Sequence, residues 1–525
     1  MEGRAITSVP AEAVDGQGGT PGWSPPRVMR AAGKRYGAGR PPAPYDPDMT
    51  TKKPLHTGSH DLPVSSALAE FLMGNWESSP RTDPPPQSIA PWAAKRRDRL
   101  SARFPGERLV VPSGVLKVRS NDCDYRFRPH TAFSYLTGGT EPGSVLILEP
   151  TASGHEAVLH LRPRSPRDTG EFYRDRRYGE IWVGRRATLD EASSLLGVAT
   201  QGLDDVPARL NGARPTRLLR GVDPEIDALV DSTGREEADL EFASFLSEMR
   251  LVKDEWEVEQ LQIAVDATAA GFTDVVRALP EAVRHPRGER WVEGVFGLRA
   301  RLEGNGLGYE TIAAAGAHAC VLHWIANDGP VRPGDLLLLD AGVESDTLYT
   351  ADITRTLPVS GTFTAAQRDL YDLVLAAQDA GIAAVRPGAR FRDFHLAAMR
   401  VIAEGLHSWG LLPVTPDEAL EPGSGLFRRY TWCSSGHMLG MDVHDCAAAR
   451  AEQYLDGVLE AGHVLTVEPG LYLQPDDLTL PPELRGVGVR IEDDLVVTQD
   501  GARLMSSALP RTASAIETWM GELLA

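Results

Sequence analysis

The chain is poor in cysteine: its 525 residues include four, Cys123, Cys320, Cys433 and Cys446, and none stands in CxxC spacing. That excludes a disulfide framework and a cysteine-built zinc site, and it fits a reducing compartment. An excess of basic charge is also missing. With a formal net charge of −19, neither nucleic acid nor an anionic membrane is an expected partner, because both demand a basic footprint. Long apolar runs are lacking as well. Stretches such as Leu336 to Leu339 or Val145 to Leu148 fall far below the ~20 residues that span a bilayer. No charged-then-apolar leader opens the chain, so the expected location is cytoplasmic.

What is present is unevenly distributed. The first fifty residues hold eight prolines and eight glycines with no hydrophobic period. Such a segment cannot offset its ordering entropy by burial, so residues 1–60 are expected to be a disordered tail, with Met49 as an alternative start. The remainder, in a chain that is 42% hydrophobic and 24% charged, has the texture of a two-domain globular protein. Residues 66 to 76 read as a short helix, ended before Pro84-Pro85-Pro86. Short apolar runs bounded by proline and glycine predict a mixed α/β domain over 61–240, with Lys95, Arg96, Arg97 and Arg99 on the solvated face of a helix. From 241 to 510 an α+β domain is expected. Its long helices begin near Glu241, where Val258, Leu261 and Val265 share a face, and others follow near 290–304, 365–385 and 391–409. A tail helix is expected over 511–525.

The most informative stretch runs from Asp335 to Thr356. Two apolar runs flank Ser345-Asp346-Thr347, the pattern of a hairpin. A turn centred on Asp346 would make Asp340 and Asp352 direct cross-strand neighbours, with Cβ atoms roughly 5 Å apart. Two carboxylates at that distance repel unless a cation lies between them. A metal ion would answer this; two loop-facing aspartates are the alternative. Further donors come later. His437 and His444 lie seven residues apart among glycines, and Glu468 ends an apolar strand before Pro469-Gly470. In Gly486 to Asp494, Val487, Val489 and Ile491 alternate with Arg490 and Glu492. Each residue alone is more often structural than ligating. Together, Asp340, Asp352, Glu468 and Glu492 carry four negative charges, which two divalent cations would neutralise, with His437 completing the set. A donor set this rich in oxygen favours Mn²⁺, while leaving Zn²⁺ and Co²⁺ open. Paired metals are suited to hydrolysis.

At these residues the chain resembles the pita-bread metallopeptidases. The strings DAG, DITRT, GHxLGxDVHD, LTVEPGLY and RIEDD resemble their Xaa-Pro aminopeptidase and prolidase branch. Upstream, Arg119 to Tyr125, Phe133 to Gly138 and Glu180 to Arg186 resemble the N-terminal domain of bacterial Xaa-Pro aminopeptidases. The resemblance implies a C-terminal pita-bread domain behind a smaller α/β domain, and Asp340, Asp352, His437, Glu468 and Glu492 as ligands of two metals. It implies cleavage between an N-terminal residue and a following proline by a hydroxide bridging those metals. Glu468 would move the proton, and His323 and His444 would stabilise the oxyanion. Arg490 is placed with the substrate-binding residues and would pair with a carboxylate of the site. Trp182 would reach the substrate pocket from a neighbouring subunit, implying a homo-dimer or homo-tetramer. Cys433 departs from the pattern, since relatives often carry histidine there to shape the proline pocket. Prolidase is the nearest alternative. A creatinase-like amidinohydrolase and a non-catalytic peptide-binding module are more remote, because both would have lost ligands.

Overall fold

The computed structural model describes residues 64–77, 84–212, 214–231 and 233–525. The expectations for residues 1–60, including the Met49 start, lie outside them. The described chain falls into two compact units, one holding the segments up to Trp76 and from Pro166 to Trp182, the other Glu77–Ser165 and Val183–Ala525. In the smaller unit the helix Ser66–Met73 is capped by the Ser65 hydroxyl. It is tied to the helix Gly170–Arg174 through the Tyr173 hydroxyl, which donates to the Leu72 carbonyl at 2.7 Å. The Arg167 guanidinium lies over the Trp76 ring at 4.2 Å.

The larger unit opens with the helix Ala90–Arg103 and a mixed five-stranded sheet. Its strand order is Ala199–Gly202, Gly154–Leu161, Val145–Thr151, Arg108–Pro112, Thr216–Leu218, with both edge strands parallel to their neighbours. The basic helix differs from expectation. Arg96 and Arg97 are buried rather than solvated. Arg97 donates to the carbonyls of Leu136 and Gly197, and Arg99 to that of Met249. These carbonyls lie at the C-terminal ends of three other helices, where the helix dipole and unpaired oxygens attract cations. Arg96 pairs with Asp254 at 2.8 Å.

Three helices follow, Glu236–Glu248, Glu255–Arg284 and Gly288–Glu303, the second opening on a capping box between Asp254 and Glu257. Leu261 and Val265 are fully buried, as their spacing predicts. Glu257 is buried too; burial lifts its pKa to about 7, and it accepts from the Tyr349 hydroxyl at 2.9 Å. The sheets beyond it are short. Leu336–Ala341 lies between Ile353–Pro358 and Ile312–Ala315; Asp493–Val497 lies between Val464–Val467 and Ala502–Leu504; Gly470–Leu473 pairs with Val487–Arg490. Strands 336–341, 353–358 and 493–497 are buried at every position, polar Thr354, Arg355, Thr356, Asp493 and Asp494 included, so only the first reads as an apolar run. Helices Ala365–Ala384, Phe391–Ser408 and Ala513–Leu524 complete the chain. Among the described residues no helix is long and apolar enough to cross a membrane.

Candidate metal centre

The hairpin that carries Asp340 and Asp352 is not centred where the sequence suggested. Asp340 pairs with Thr354 and Ala341 with Ile353, which puts the centre on Thr347, not Asp346. The loop is Asp346-Thr347-Leu348, closed by the Ser345 N–H donating to the Tyr349 carbonyl at 2.8 Å, with Leu348 at φ 70°. A three-residue loop ending in a left-handed residue is a common hairpin connection, but glycine is its usual signal and this turn has none. Moving the centre by one residue slides the partner by two. Asp352 therefore lies diagonal to Asp340 instead of opposite, and the even shift keeps both on one face. Gly342 makes this possible: a Cβ there would lie 1.8 Å from the Ala351 carbonyl oxygen and 3.0 Å from the Tyr309 ring.

Tyr309 went unnoticed in the sequence and joins the two aspartates. Its hydroxyl lies 2.6 Å from Asp340 Oδ1 and 2.5 Å from Asp352 Oδ1. A phenol has one proton, so it donates to one of them at a time. Burial, then the charges of Asp340 and Asp352, hold its pKa well above the ordinary value, so the proton stays on oxygen. The other donors converge on Asp352. His437 Nε2 lies 3.2 Å from Asp352 Oδ2 and 3.5 Å from Glu468 Oε1. Donor atoms of Asp352, His437 and Glu492 all fall within 4.8 Å of one another. Gly436 (φ 153°) lets His437 approach, since a Cβ there would lie 2.1 Å from the Thr466 carbonyl oxygen. Glu468 and Glu492 each sit just past the end of a strand, Val464–Val467 and Val487–Arg490.

The electrostatics show that this cluster lacks positive charge. Burial, then Asp352, Glu468 and Asp340, push Glu492 well above the carboxylate range. Burial lifts Glu468 to about 7, against the pull of His437. Asp340 is raised by burial despite Arg490 beside it. For His437 burial works downward, but the hydrogen bond to Asp352 and the Glu468 charge outweigh it and lift the pKa to about 9. Its Nδ1 lies 3.2 Å from the Met438 carbonyl and so carries the proton in the neutral ring. Nε2 then faces carboxylate oxygens, where without metal it holds a proton shared with Asp352 and where a metal ion would take that proton's place. A ligating histidine whose other nitrogen donates to a backbone carbonyl is held in this way. Four carboxylates and one such imidazole fit divalent metal.

The remaining predicted residues fall at different distances from this centre. The rings of His444 and His437 are 4.2 Å apart, and burial, then His437, lower the His444 pKa, with His323 adding to the effect. His323 lies on an exposed loop. Arg490 is 4% exposed, and each of its three nitrogens donates within the protein, to Asp340, to the Tyr472 hydroxyl (2.9 Å) and to Thr354 Oγ1 (3.1 Å). That favours pairing with Asp340 over direct contact with a substrate. Thr354 in turn donates to Glu492 at 2.7 Å. Cys433 lies exposed four residues before His437, and partial burial, then the Glu468 charge, push its thiol pKa up. Trp182 belongs to the smaller unit, where its indole N–H donates to the Tyr173 carbonyl at 2.8 Å. Asp494, like Tyr309, escaped notice; its Oδ2 accepts from the Asp352 N–H at 3.1 Å. The DD of RIEDD was its one signal.

Comparison with known proteins gives a consistent result. Residues 259–499 match the model of metallopeptidase family M24, and residues 93–216 match the aminopeptidase P N-terminal domain. Xaa-Pro aminopeptidase 1 of Streptomyces coelicolor is 53% identical over 92% of this chain and 98% of its own length. The Xaa-Pro aminopeptidase of Escherichia coli is 32% identical over 81% of this chain and 96% of its own. Among solved structures, Pseudomonas aeruginosa aminopeptidase PepP has a TM-score of 0.72 at 31% identity, covering 83% of this chain and 98% of that one. Zinc-substituted E. coli aminopeptidase P in complex with product gives 0.71 at 31% identity, covering 82% and 98%.

Proposed function

The chain is a hydrolase of metallopeptidase family M24, on its Xaa-Pro aminopeptidase branch, and from that premise we propose that it releases the N-terminal residue of peptides whose second residue is proline. The observation that carries this reading is the cluster of four buried acids, Asp340, Asp352, Glu468 and Glu492, whose charge Arg490 only partly offsets, with His437 Nε2 directed into it. Two divalent cations held by these five residues would supply Lewis-acid polarisation of the scissile carbonyl and a lowered pKa for the attacking water. Manganese is the ion assigned, on the strength of the oxygen-rich donor set.

The chain's own groups do the rest. Glu468 takes the proton of the attacking water and delivers it to the prolyl nitrogen, which must be protonated to leave. His323 and His444 donate to the oxygen that becomes negative in the tetrahedral intermediate. Arg490 holds Asp340 in place through Nη2. Cys433 borders the proline ring, where a thiol offers apolar contact in place of an imidazole. The domain division near residue 240 belongs to this reading, supported by family matches that end at 216 and resume at 259. So does a homo-dimer or homo-tetramer, supported by Ile181 and Trp182, which are 56% and 50% exposed.

The test is hydrolysis of an Xaa-Pro-Yaa tripeptide by chelated protein before and after Mn²⁺ is added. Release of the free first residue with metal alone supports the reading. Cleavage of an Xaa-Pro dipeptide but not the tripeptide would replace it with prolidase activity.

A further inference from the structure

His323 lies on the segment between Gly316 and Gly329, where the chain forms one short 3-10 turn, Gly316–Cys320, and otherwise no regular structure. A side chain that must meet a developing charge to within a fraction of an ångström needs such a segment to be held. The holding group is a single buried carboxylate. Glu289, near the start of the helix Gly288–Glu303, is 0% exposed and accepts four hydrogen bonds, all from Ala315 to Gly329, the loop and the strand residue that leads into it. Oε1 takes the Ala315 N–H at 2.8 Å and pairs with His318 Nδ1 at 2.7 Å. Oε2 takes the Trp324 indole N–H at 2.9 Å and the Gly329 N–H at 2.7 Å. One carboxylate thus ties the entry, the middle and the exit of the loop to one helix. Trp324 is the neighbour of His323, and its ring stacks on His318 with centroids 3.9 Å apart. Gly329 is required, since a Cβ there would lie 2.6 Å from the His318 ring and 2.8 Å from Glu289 Oε2.

We infer that Glu289 is a positioning residue for His323. The inference rests on the oxyanion role proposed for His323. Glu289 touches none of the five candidate ligands; its effect passes through the loop.

A double-mutant cycle with Mn²⁺-loaded full-length enzyme on the tripeptide tests it. Glu289→Gln keeps the volume but puts an amide nitrogen where one oxygen accepts two bonds. It should lower kcat about tenfold, leaving KM and metal content within about twofold, because the lost interaction belongs to the transition state. In a His323→Ala background the same substitution should change kcat less than about twofold. Trp324→Phe, which removes one of the four bonds and keeps a ring over His318, should show a smaller fall with the same dependence on His323. It carries the test if Glu289→Gln does not fold. Equal falls in both backgrounds, or loss of metal, would overturn the inference. An unchanged kcat in His323→Ala alone would instead remove the proposed role of His323, a pattern separable from the additive one.

Discussion

Glu492 and Asp493 are consecutive and almost wholly buried, 1% and 0% exposed, yet their surroundings are opposite. Asp493 is answered on every side. Arg355 Nη2 lies at 2.6 Å, Gln378 Nε2 at 2.8 Å, the Ser506 hydroxyl at 2.5 Å and Arg511 Nε at 3.7 Å. Glu492 receives the Thr354 hydroxyl and faces the acids Asp352, Glu468 and Asp340, whose charges outweigh the pull of Arg490, a cation already paired with Asp340. A third acid, Asp445, repeats the answered pattern, with Arg250 at 3.0 Å and Lys253 at 3.1 Å. Burial alone therefore marks nothing. A buried acid matched by cations belongs to the scaffold, and a buried acid among acids marks where a cation is to come from outside.

The sharpest way to break this contrast is to exchange the two effects. Glu492→Gln removes charge from the unanswered side. Hydrolysis should fall on the order of 10³-fold or more with loss of bound metal, while the metal-free protein keeps its unfolding free energy or gains, since repulsion is relieved. Activity is read by tripeptide turnover, metal by elemental analysis, stability by urea titration. Reduced stability with metal intact would invert the comparison.

On the answered side, Arg355→Met leaves Asp493 with its nearest cation gone. A cost of about 3–5 kcal/mol is expected for breaking a buried pair, visible in urea, with metal stoichiometry of the folded fraction unchanged. A neutral result would show that Arg511 suffices.

The smallest effect concerns a buried group kept uncharged. His463 is 4% exposed, and burial, then Lys253, bring its pKa down to about 4. Its ordinary value is about 6.5, so the unfolded chain binds a proton in this window and the folded chain does not. Stability from this group is full above pH ~6.5 and is lost as pH falls towards ~4, up to about 3 kcal/mol. His463→Gln should flatten that part of the stability–pH curve; an unaltered slope would show that other groups govern it.

Much of the site was legible because its chemistry is carried by short strings. Glu468 before Pro469-Gly470 and the alternation around Arg490 announce strand ends bearing charge, and the structure puts both there. The α+β layout was legible for a similar reason: helix and strand periods are local, and the helices at Gly288–Glu303, Ala365–Ala384 and Phe391–Ser408 lie within a few residues of their expected ranges. The hairpin register was not, because Leu348 adopts a left-handed conformation that its side chain does not advertise. Nor was the burial of Arg96 and Arg97, since a run of basic residues looks the same whether it meets water or helix C-termini.

The sequence by itself determined the family, the identity of the acids and histidines, and the two-period pattern that makes strands and helices. Only the tertiary structure decided which acids are answered by cations, that Tyr309 joins Asp340 to Asp352, and that Glu289 gathers the loop of His323. The physical reason is range. Periodicity and turn chemistry act over a few residues, whereas Arg490 meets Asp340 across 150 positions and Arg355 meets Asp493 across 138. Such pairings exist only once the strands have packed, because it is packing that removes the water which would otherwise answer every charge alike.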